Sequence, residues 1–518
     1  MPISPRAALD LYSVASIRTL ESAALASGAA LMPAAGQAAA DFAITLLGQP
    51  ARKVLLLAGP GNNGGDACAC AAILAQAGWQ VSLLLYADDD YAAAKNARQA
   101  LAQARSTGAT IARPEQLTQL LQQDWDLIID GLFGIGLARA LSGPYRSLVE
   151  HINAHTATHR LPLLALDVPS GLDADSGCVI SDDADDTGIA IRADHTLTFI
   201  TDKAGLHTAA GKDYAGHVSL ADLAVARTDQ AHSESVLNCP LSFDFDLPTR
   251  RHNSHKGSYG DVLIIGGSVG MVGAAILAAR AALYGGAGRV MLGLPEGGIS
   301  YDLAYPEIMC RDLRSHVFGR EIVVIGPGLG QTPAAADWLT RALESDCRLV
   351  IDADALNLLA TQAPLQARLR ARRSATVLTP HPLEAARLLQ CNAAAIQGAR
   401  LPSAAKLAAD WHCTVVLKGT GSIIASPNTQ LAINTTGNPG LASGGSGDVL
   451  AGLVGALLAQ GMDGDAAARL AVWLHGAAAD QLVADGDGPI GLHAGELASA
   501  IRRQLNLLVS ATLNRPNY

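Results

Sequence analysis

Asn438-Pro439-Gly440-Leu441-Ala442-Ser443-Gly444-Gly445-Ser446-Gly447-Asp448-Val449-Leu450 begins in turn chemistry, passes through four glycines and one acid, and then becomes an Ala/Leu-rich helical run. Glycines let backbone N–H groups converge without Cβ interference, and the following helix adds its positive end. Such a nest binds an anion, most often phosphate. Asp448 is the odd residue, because a carboxylate beside an anion site is repelled by the ligand. One reading makes it the cap of a helix beginning near Val449. The other makes it a general base that takes a proton from a hydroxyl attacking the phosphate.

Upstream of this loop, short apolar runs of buried-strand type each end in a polar cluster. Asp261–Ile265 leads into Gly266-Gly267-Ser268, then a helical run from Gly273 to Tyr284 and a strand from Arg289 to Leu294. Ile322–Ile325 leads into Gly326-Pro327-Gly328-Leu329-Gly330, and Leu349–Ile351 into Asp352-Ala353-Asp354. Thr376–Leu378 leads into Thr379-Pro380-His381-Pro382-Leu383-Glu384, and Thr414–Leu417 into Lys418-Gly419-Thr420-Gly421-Ser422. Helices fill most of the chain from Asp448 to about Asn506.

The first half reuses the device. Two helices are expected over 13–47, with a break near Gly28 and Met32-Pro33. The strand Lys53–Ala58 runs into Gly59-Pro60-Gly61-Asn62-Asn63-Gly64-Gly65-Asp66 and then a helix. That is the layout of a phosphate or ribose site in a doubly wound sheet, although the spacing is neither the dinucleotide fingerprint nor a P-loop. A plain βα turn needs fewer glycines. Further strands are expected at Gln80–Tyr86, Leu127–Asp130 and Leu163–Leu166. Two of them end in Asp130-Gly131-Leu132-Phe133-Gly134-Ile135-Gly136-Leu137 and Asp167-Val168-Pro169-Ser170-Gly171-Leu172-Asp173. In open α/β sheets ligands sit beyond the carboxyl ends of the strands, so three such loops can share one crevice. A lone strand-terminal Asp is otherwise a cap or turn former. The acidic run Asp182–Asp186 reads as a solvated loop. After Leu223 the alternation fades, and the polar stretch from Ala224 to Arg250, with Leu247-Pro248-Thr249 near its end, reads as a linker and the entry to a second domain. The expected division is 1–225 and 226–518.

At 518 residues the chain exceeds one ordinary core. A composition 49% hydrophobic with 52 glycines and few aromatics suits α/β layers packed closely. The formal net charge of −10, without a basic run, argues against nucleic acid as a main ligand. An anionic ligand is then held by local backbone dipoles. The eight cysteines show no paired spacing, which points to reduced thiols in a cytosolic protein. Residues Met1 to Asp10 lack a signal pattern, and the Ala-rich runs are too short or interrupted to span a bilayer. A soluble, cytoplasmic protein with no membrane partner is expected.

Lys418 to Ser422, followed by Gly444-Gly445-Ser446-Gly447-Asp448, resembles the ribokinase-like fold in its carbohydrate kinase-related branch. Gly59 to Asp66, through Asp167-Val168-Pro169-Ser170-Gly171, resembles the YjeF N-terminal domain. In this order the two resemble the bifunctional NAD(P)H-hydrate repair enzymes, over nearly the whole chain. The resemblance implies an N-terminal Rossmann-like three-layer αβα domain followed by a ribokinase-like three-layer αβα domain. It implies an epimerase interconverting R and S forms of NAD(P)H hydrated at C6. It also implies a dehydratase that returns the S form to NAD(P)H using ADP, giving AMP and phosphate. By motif, Asn62, Asn63, Gly64, Gly65, Asp66 and the loop Gly134, Ile135, Gly136, Leu137, Ala138, Arg139, Ala140 would hold the hydrated dinucleotide, with Asp167 facing its nicotinamide ring. Asn63, Asp130 and Ser170 would be potassium ligands, which suits a hard, oxygen-rich site. Ala274, Gly328, His381 and Asp448 match hydrate-contacting positions, and Lys418, Gly419, Thr420, Gly421, Ser422 and Gly447 match nucleotide-binding ones. Asp448 and Asp167 are the expected catalytic residues, Mg2+ is expected with ADP, and a homo-oligomer is expected. His381, between two prolines, reads equally as a loop residue. The chain departs from the family pattern at Ala67, where glycine is usual, and at Ser446, where threonine is common. Two rivals stand beside this reading: a small-molecule kinase of the hydroxymethylpyrimidine type, and an RNA-associated scaffold. The acidic balance and the intact Asp130 and Asp167 loops argue against the scaffold.

Overall fold

The computed structural model describes residues 9–48, 52–86, 95–182, 187–228, 231–247, 250–295, 297 and 302–513. The expectations for Met1 to Ala8, for 183–186 of the acidic run and for Pro248-Thr249 lie outside the described residues. The chain forms two compact units, Met1–Ser235 and Val236–Tyr518.

In the first unit seven strands form one parallel sheet, in the order Thr110–Ala112, Gln80–Leu85, Lys53–Ala58, Leu127–Gly131, Leu163–Leu166, His195–Phe199, His217–Ala221. The chain starts at Lys53–Ala58, winds outward, then returns to its other side at Leu127–Gly131. The turn loops after these two strands therefore open a crevice at the switch point of the sheet. Helices cover both faces. Val14–Ala26, Leu31–Leu47 and Asn62–Gln76 lie over one face, and Gly143–His159 over the other. Gly36 explains the close seating of the second and third of these, because a Cβ there would lie 2.4 Å from the Ala69 Cβ.

The last three strands of the sheet were not all foreseen. His195–Phe199 and His217–Ala221 carry polar residues at alternate positions, so neither reads as an apolar run. The segment 226–235 belongs to the first unit, not to the entry of the second. Two of its described charged residues are tied down there: Glu234 accepts from Ser13 N at 2.9 Å and from the hydroxyls of Ser13 and Ser16 at 2.6 and 2.8 Å. Arg227 donates to the Tyr12 hydroxyl at 3.0 Å. A polar composition alone does not separate a linker from a segment anchored by hydrogen bonds.

The sheet of the second unit runs from Ser235–Asn238 through Leu431–Asn434, Ile423–Ala425, Thr414–Leu417, Thr376–Leu378, Leu349–Ile351, Ile322–Ile325, Asp261–Ile265 and Arg289–Gly293 to Met309–Arg311. It is parallel from Thr414–Leu417 to Met309–Arg311, whereas Ile423–Ala425 pairs antiparallel with both Thr414–Leu417 and Leu431–Asn434. Lys418–Ser422 is thus a hairpin connection. The helix Ser446–Ala459 packs against Val272–Tyr284 and the central strands. Glycines permit this approach: a Cβ at Gly452 would lie 2.0 Å from the Ala278 carbonyl oxygen, and one at Gly455 would lie 2.5 Å from Val324. Both units are α/β with parallel sheets covered by helices. No single described helix is long and apolar enough to cross a membrane.

Candidate active sites

The first unit carries a cleft of about 580 Å³ at the switch point of its sheet. Asn62, Asn63 and Asp66 line it from the first loop, Gly134 to Leu137 from the second, and Asp167 from the third. The expected residues Gly64, Gly65, Ala138, Arg139 and Ala140 are not in its wall. A Cβ at Gly65 would instead meet Met32 and Ala97 in the helix packing, and Ala140 N donates to Asp182 at 3.1 Å. Ala67 is fully buried, and its methyl abuts Gly131, so it does not crowd the cleft.

Asp167 ends its strand with φ +66°, a conformation uncommon for a residue with a Cβ and held here by a hydrogen bond from its N–H to the Leu197 carbonyl at 2.8 Å. One carboxylate oxygen lies 2.9 Å from the buried Lys203 ammonium, and the other accepts from Ile135 N at 3.2 Å. Two further carboxyls line the same cleft. Burial raises Asp66 well above the usual range, helped by the Asp167 charge, and the same causes raise Glu21.

Beside this cleft Asp130 is fully buried. Its carboxylate accepts from Leu132 N at 3.1 Å, Ser170 N at 2.9 Å and the Ser170 hydroxyl at 2.8 Å. Burial still pushes its carboxyl up to about 6. Asn63 donates to the Leu166 carbonyl at 3.1 Å, and its own buried side-chain oxygen has no hydrogen-bond partner among the described residues. A buried oxygen without a donor and a desolvated carboxylate are both groups that a cation would satisfy.

In the second unit the helix Ser446–Ala459 starts three residues before Val449. Gly445, at φ +90°, is its N-cap, and Asp448 lies inside the first turn. Asp448 therefore does not cap the helix, and among the described residues it accepts no hydrogen bond. Burial, then the charge of Asp352, pushes its carboxyl up to about 6 against the pull of Lys418. First-turn N–H groups lack intrahelical acceptors and face this same end.

Lys418, just past its strand, reaches Asp352 at 2.9 Å and Glu384 at 4.0 Å. Burial opposes its charge, but Asp352 and then Glu384 hold its ammonium above the ordinary value. Glu384 is itself pushed up to about 7, mainly by burial. A Cβ at Gly447 would lie 3.2 Å from the Lys418 ammonium, which places the lysine tip against the first turn of this helix. Beneath the hairpin, the buried Arg400 donates to the Lys418 carbonyl at 3.3 Å, and a Cβ on Gly419 would come within 2.8 Å of it. Gly328, at φ +58°, sits against Met271 and Ala274. The His381 ring caps its own helix, Pro382–Leu389, accepting from Leu383 N at 3.1 Å and Glu384 N at 3.4 Å. Among the described residues, no group of three His, Cys, Asp or Glu is arranged to hold a metal ion. All eight cysteines are thiols outside any disulfide; four are buried and Cys391 is exposed.

Two family models match, NAD(P)H-hydrate dehydratase over residues 262–503 and the YjeF-related protein N-terminus over 28–205. A bifunctional NAD(P)H-hydrate repair enzyme of Coxiella burnetii is 36% identical over 514 residues, covering 96% of this chain and 99% of that protein. One from Escherichia coli K12 is 37% identical over 488 residues, covering 92% and 89%. The chain belongs to the bifunctional NAD(P)H-hydrate repair enzymes. Half of it also matches the crystal structure of the ADP/ATP-dependent NAD(P)H-hydrate dehydratase of Bacillus subtilis, with 33% identity, 94% of that chain covered and a TM-score of 0.45. As a family member it has an epimerase half and a dehydratase half.

Four side chains in these sites were absent from the sequence expectations. Lys203 follows the unforeseen strand His195–Phe199, and Arg18 and Glu21 stand on a helix outside the matched family region. Arg400 is far from the loop it supports. Asp352 and Glu384 were visible as polar strand ends but carried no assigned role. The signal available for each was only a charged residue near an apolar run.

Proposed function

We propose that the second unit removes water from the S hydrate by making its C6 hydroxyl a phosphate ester, with Asp448 as the base. The observation that carries this reading is an uncapping, desolvated carboxylate at a glycine-rich helix N-terminus beside Lys418. Hydroxide leaves poorly from C6, whereas phosphate leaves well. Asp448 takes the hydroxyl proton as the oxygen attacks the terminal phosphorus of ADP, and AMP departs. Lys418 and the N–H groups of Ser446 and Gly447 stabilise charge on the moving phosphoryl group. Phosphate then leaves with the C6–O bonding pair as C5 gives up a proton, and the C5=C6 double bond that forms restores the dihydropyridine. Mg2+ arriving with ADP would offset the diphosphate charge, and the carboxylates Asp352 and Glu384, crowded beside one lysine, are the groups that fit it. Gly419 to Ser422 would hold the nucleotide, and Ala274, Gly328 and His381 the hydrate.

The first unit, in the same proposal, epimerises the hydrate with Asp167 at the nicotinamide ring and Asn62, Asn63 and Asp66 around the dinucleotide. Potassium fits Asn63, Asp130 and Ser170: the donor set is oxygen only, and the orphaned Asn63 oxygen lacks a partner. Its contribution would be to position the loops. A cytoplasmic location and self-association belong to this reading as well.

The test is a turnover assay on mixed R and S NADHX, following recovery of dihydropyridine absorbance with ADP, with ATP and without nucleotide. Full recovery by the wild type, none by Asp448→Ala, and recovery at the spontaneous epimerisation rate by Asp167→Ala is the expected pattern. No recovery with either nucleotide rejects the proposal.

A further inference from the structure

Lys203 is fully buried, and its ammonium has four oxygen neighbours. They are Asp167 Oδ1 at 2.9 Å, Thr198 Oγ1 at 2.6 Å, Phe199 O at 3.1 Å and Thr201 O at 3.0 Å. Two carbonyls and a carboxylate can only accept, so all three N–H groups of an ammonium are needed there. The second oxygen of Asp167 meets a backbone N–H, that of Ile135. Each named neighbour of this carboxylate donates, so the group is built to be an anion. Its remaining edge lines the cleft.

We propose that Lys203 is a positioning residue that holds the Asp167 carboxylate in place, and that this carboxylate stabilises a cationic ring formed when the C6 hydroxyl leaves, so that epimerisation proceeds by loss and return of water. The inference rests on the proposed placement of Asp167 at the nicotinamide ring. The C6–O bond breaks as the hydroxyl takes a proton from a cleft carboxyl and departs as water. The N1 lone pair forms an N1=C6 double bond, leaving one positive charge on the ring. Water then adds to the other face of C6, the double-bond electrons return to N1, and the added water gives one proton back to the carboxylate. Glu21 and Asp66 line the cleft, and burial keeps both carboxyls readier to hold that proton. A fixed anion favours this cation over a neutral ring-opened aldehyde, because the Coulomb gain exists only for the charged species.

The test incubates the full-length chain, without nucleotide, with one NADHX epimer in 18O-enriched water. The opposite epimer should carry one 18O per conversion, above an enzyme-free control. Conversion without label overturns the inference; absence of conversion rejects instead the functional reading beneath it. Lys203→Met should lower kcat on the order of 10²-fold, with little change in KM. In an Asp167→Asn background the same substitution should add less than about twofold, because a residue acting through Asp167 has nothing left to act on. Fully additive losses would overturn the positioning role.

Discussion

Lys203 and Lys418 each lie 2.9 Å from a carboxylate that follows a parallel strand, Asp167 in the first unit and Asp352 in the second. What completes each shell differs. Lys203 is surrounded by neutral oxygens from its own segment and has no exposure, so its charge is fully spent on one carboxylate. Lys418 stands among Asp352, Glu384 and the charge of Asp448, three acids for one cation. The first arrangement is a closed pair suited to holding a fixed anion. The second is a surplus of buried negative charge beside a helix N-terminus, suited to receiving a metal-bound diphosphate and to raising a base towards neutral pH.

The comparison breaks most sharply at Asp448. Asp448→Ala should lower dehydration on the order of 10²–10⁴-fold and leave epimerisation intact. A loss below about fivefold in single-turnover dehydration would return Asp448 to a structural role. Gly134→Ala tests the closed pair. Its Cβ would lie 2.6 Å from Asp167 Oδ2, and displacing that carboxylate by about an ångström should cost epimerisation on the order of 10²-fold while dehydration is unchanged.

A pH profile sharpens the contrast between the two acids. Asp448 must be ionised to accept a proton and titrates at about 6, so dehydration should fall about tenfold per pH unit below that value and level off above it. A kcat profile flat from pH 5 to 8 would exclude it as the base. Smallest is Ala67→Gly. The methyl is buried in helix packing, not in the cleft, so the change should destabilise the first unit by about 0.5–1 kcal/mol with epimerisation kinetics nearly unchanged, as read by denaturant unfolding.

Most central strands were legible because each is a short apolar run buried on both faces. Lys53–Ala58, Leu163–Leu166, Ile322–Ile325 and Thr414–Leu417 fall where composition puts them. Strands mixing polar residues into their pattern, such as His195–Phe199, were not. The glycine loops were legible for a related reason: φ above zero and close approach leave few other residue choices, as at Gly328 and Gly445. Helix starts were less so. The sequence left Asp448 open between a cap and a base, and Gly445 takes the cap position.

The sequence by itself determined the layered α/β class, the polar cluster after each strand, and the acids and glycines that stand at the strand ends, because these follow from local pattern and residue type. Only the tertiary structure decided which charges neutralise one another. Lys203 against Asp167, Lys418 against Asp352 and Arg400 beneath the hairpin are contacts made across strands. Their strength comes from burial, which lowers screening and leaves an unpaired charge costly, and burial is a property of the folded chain alone.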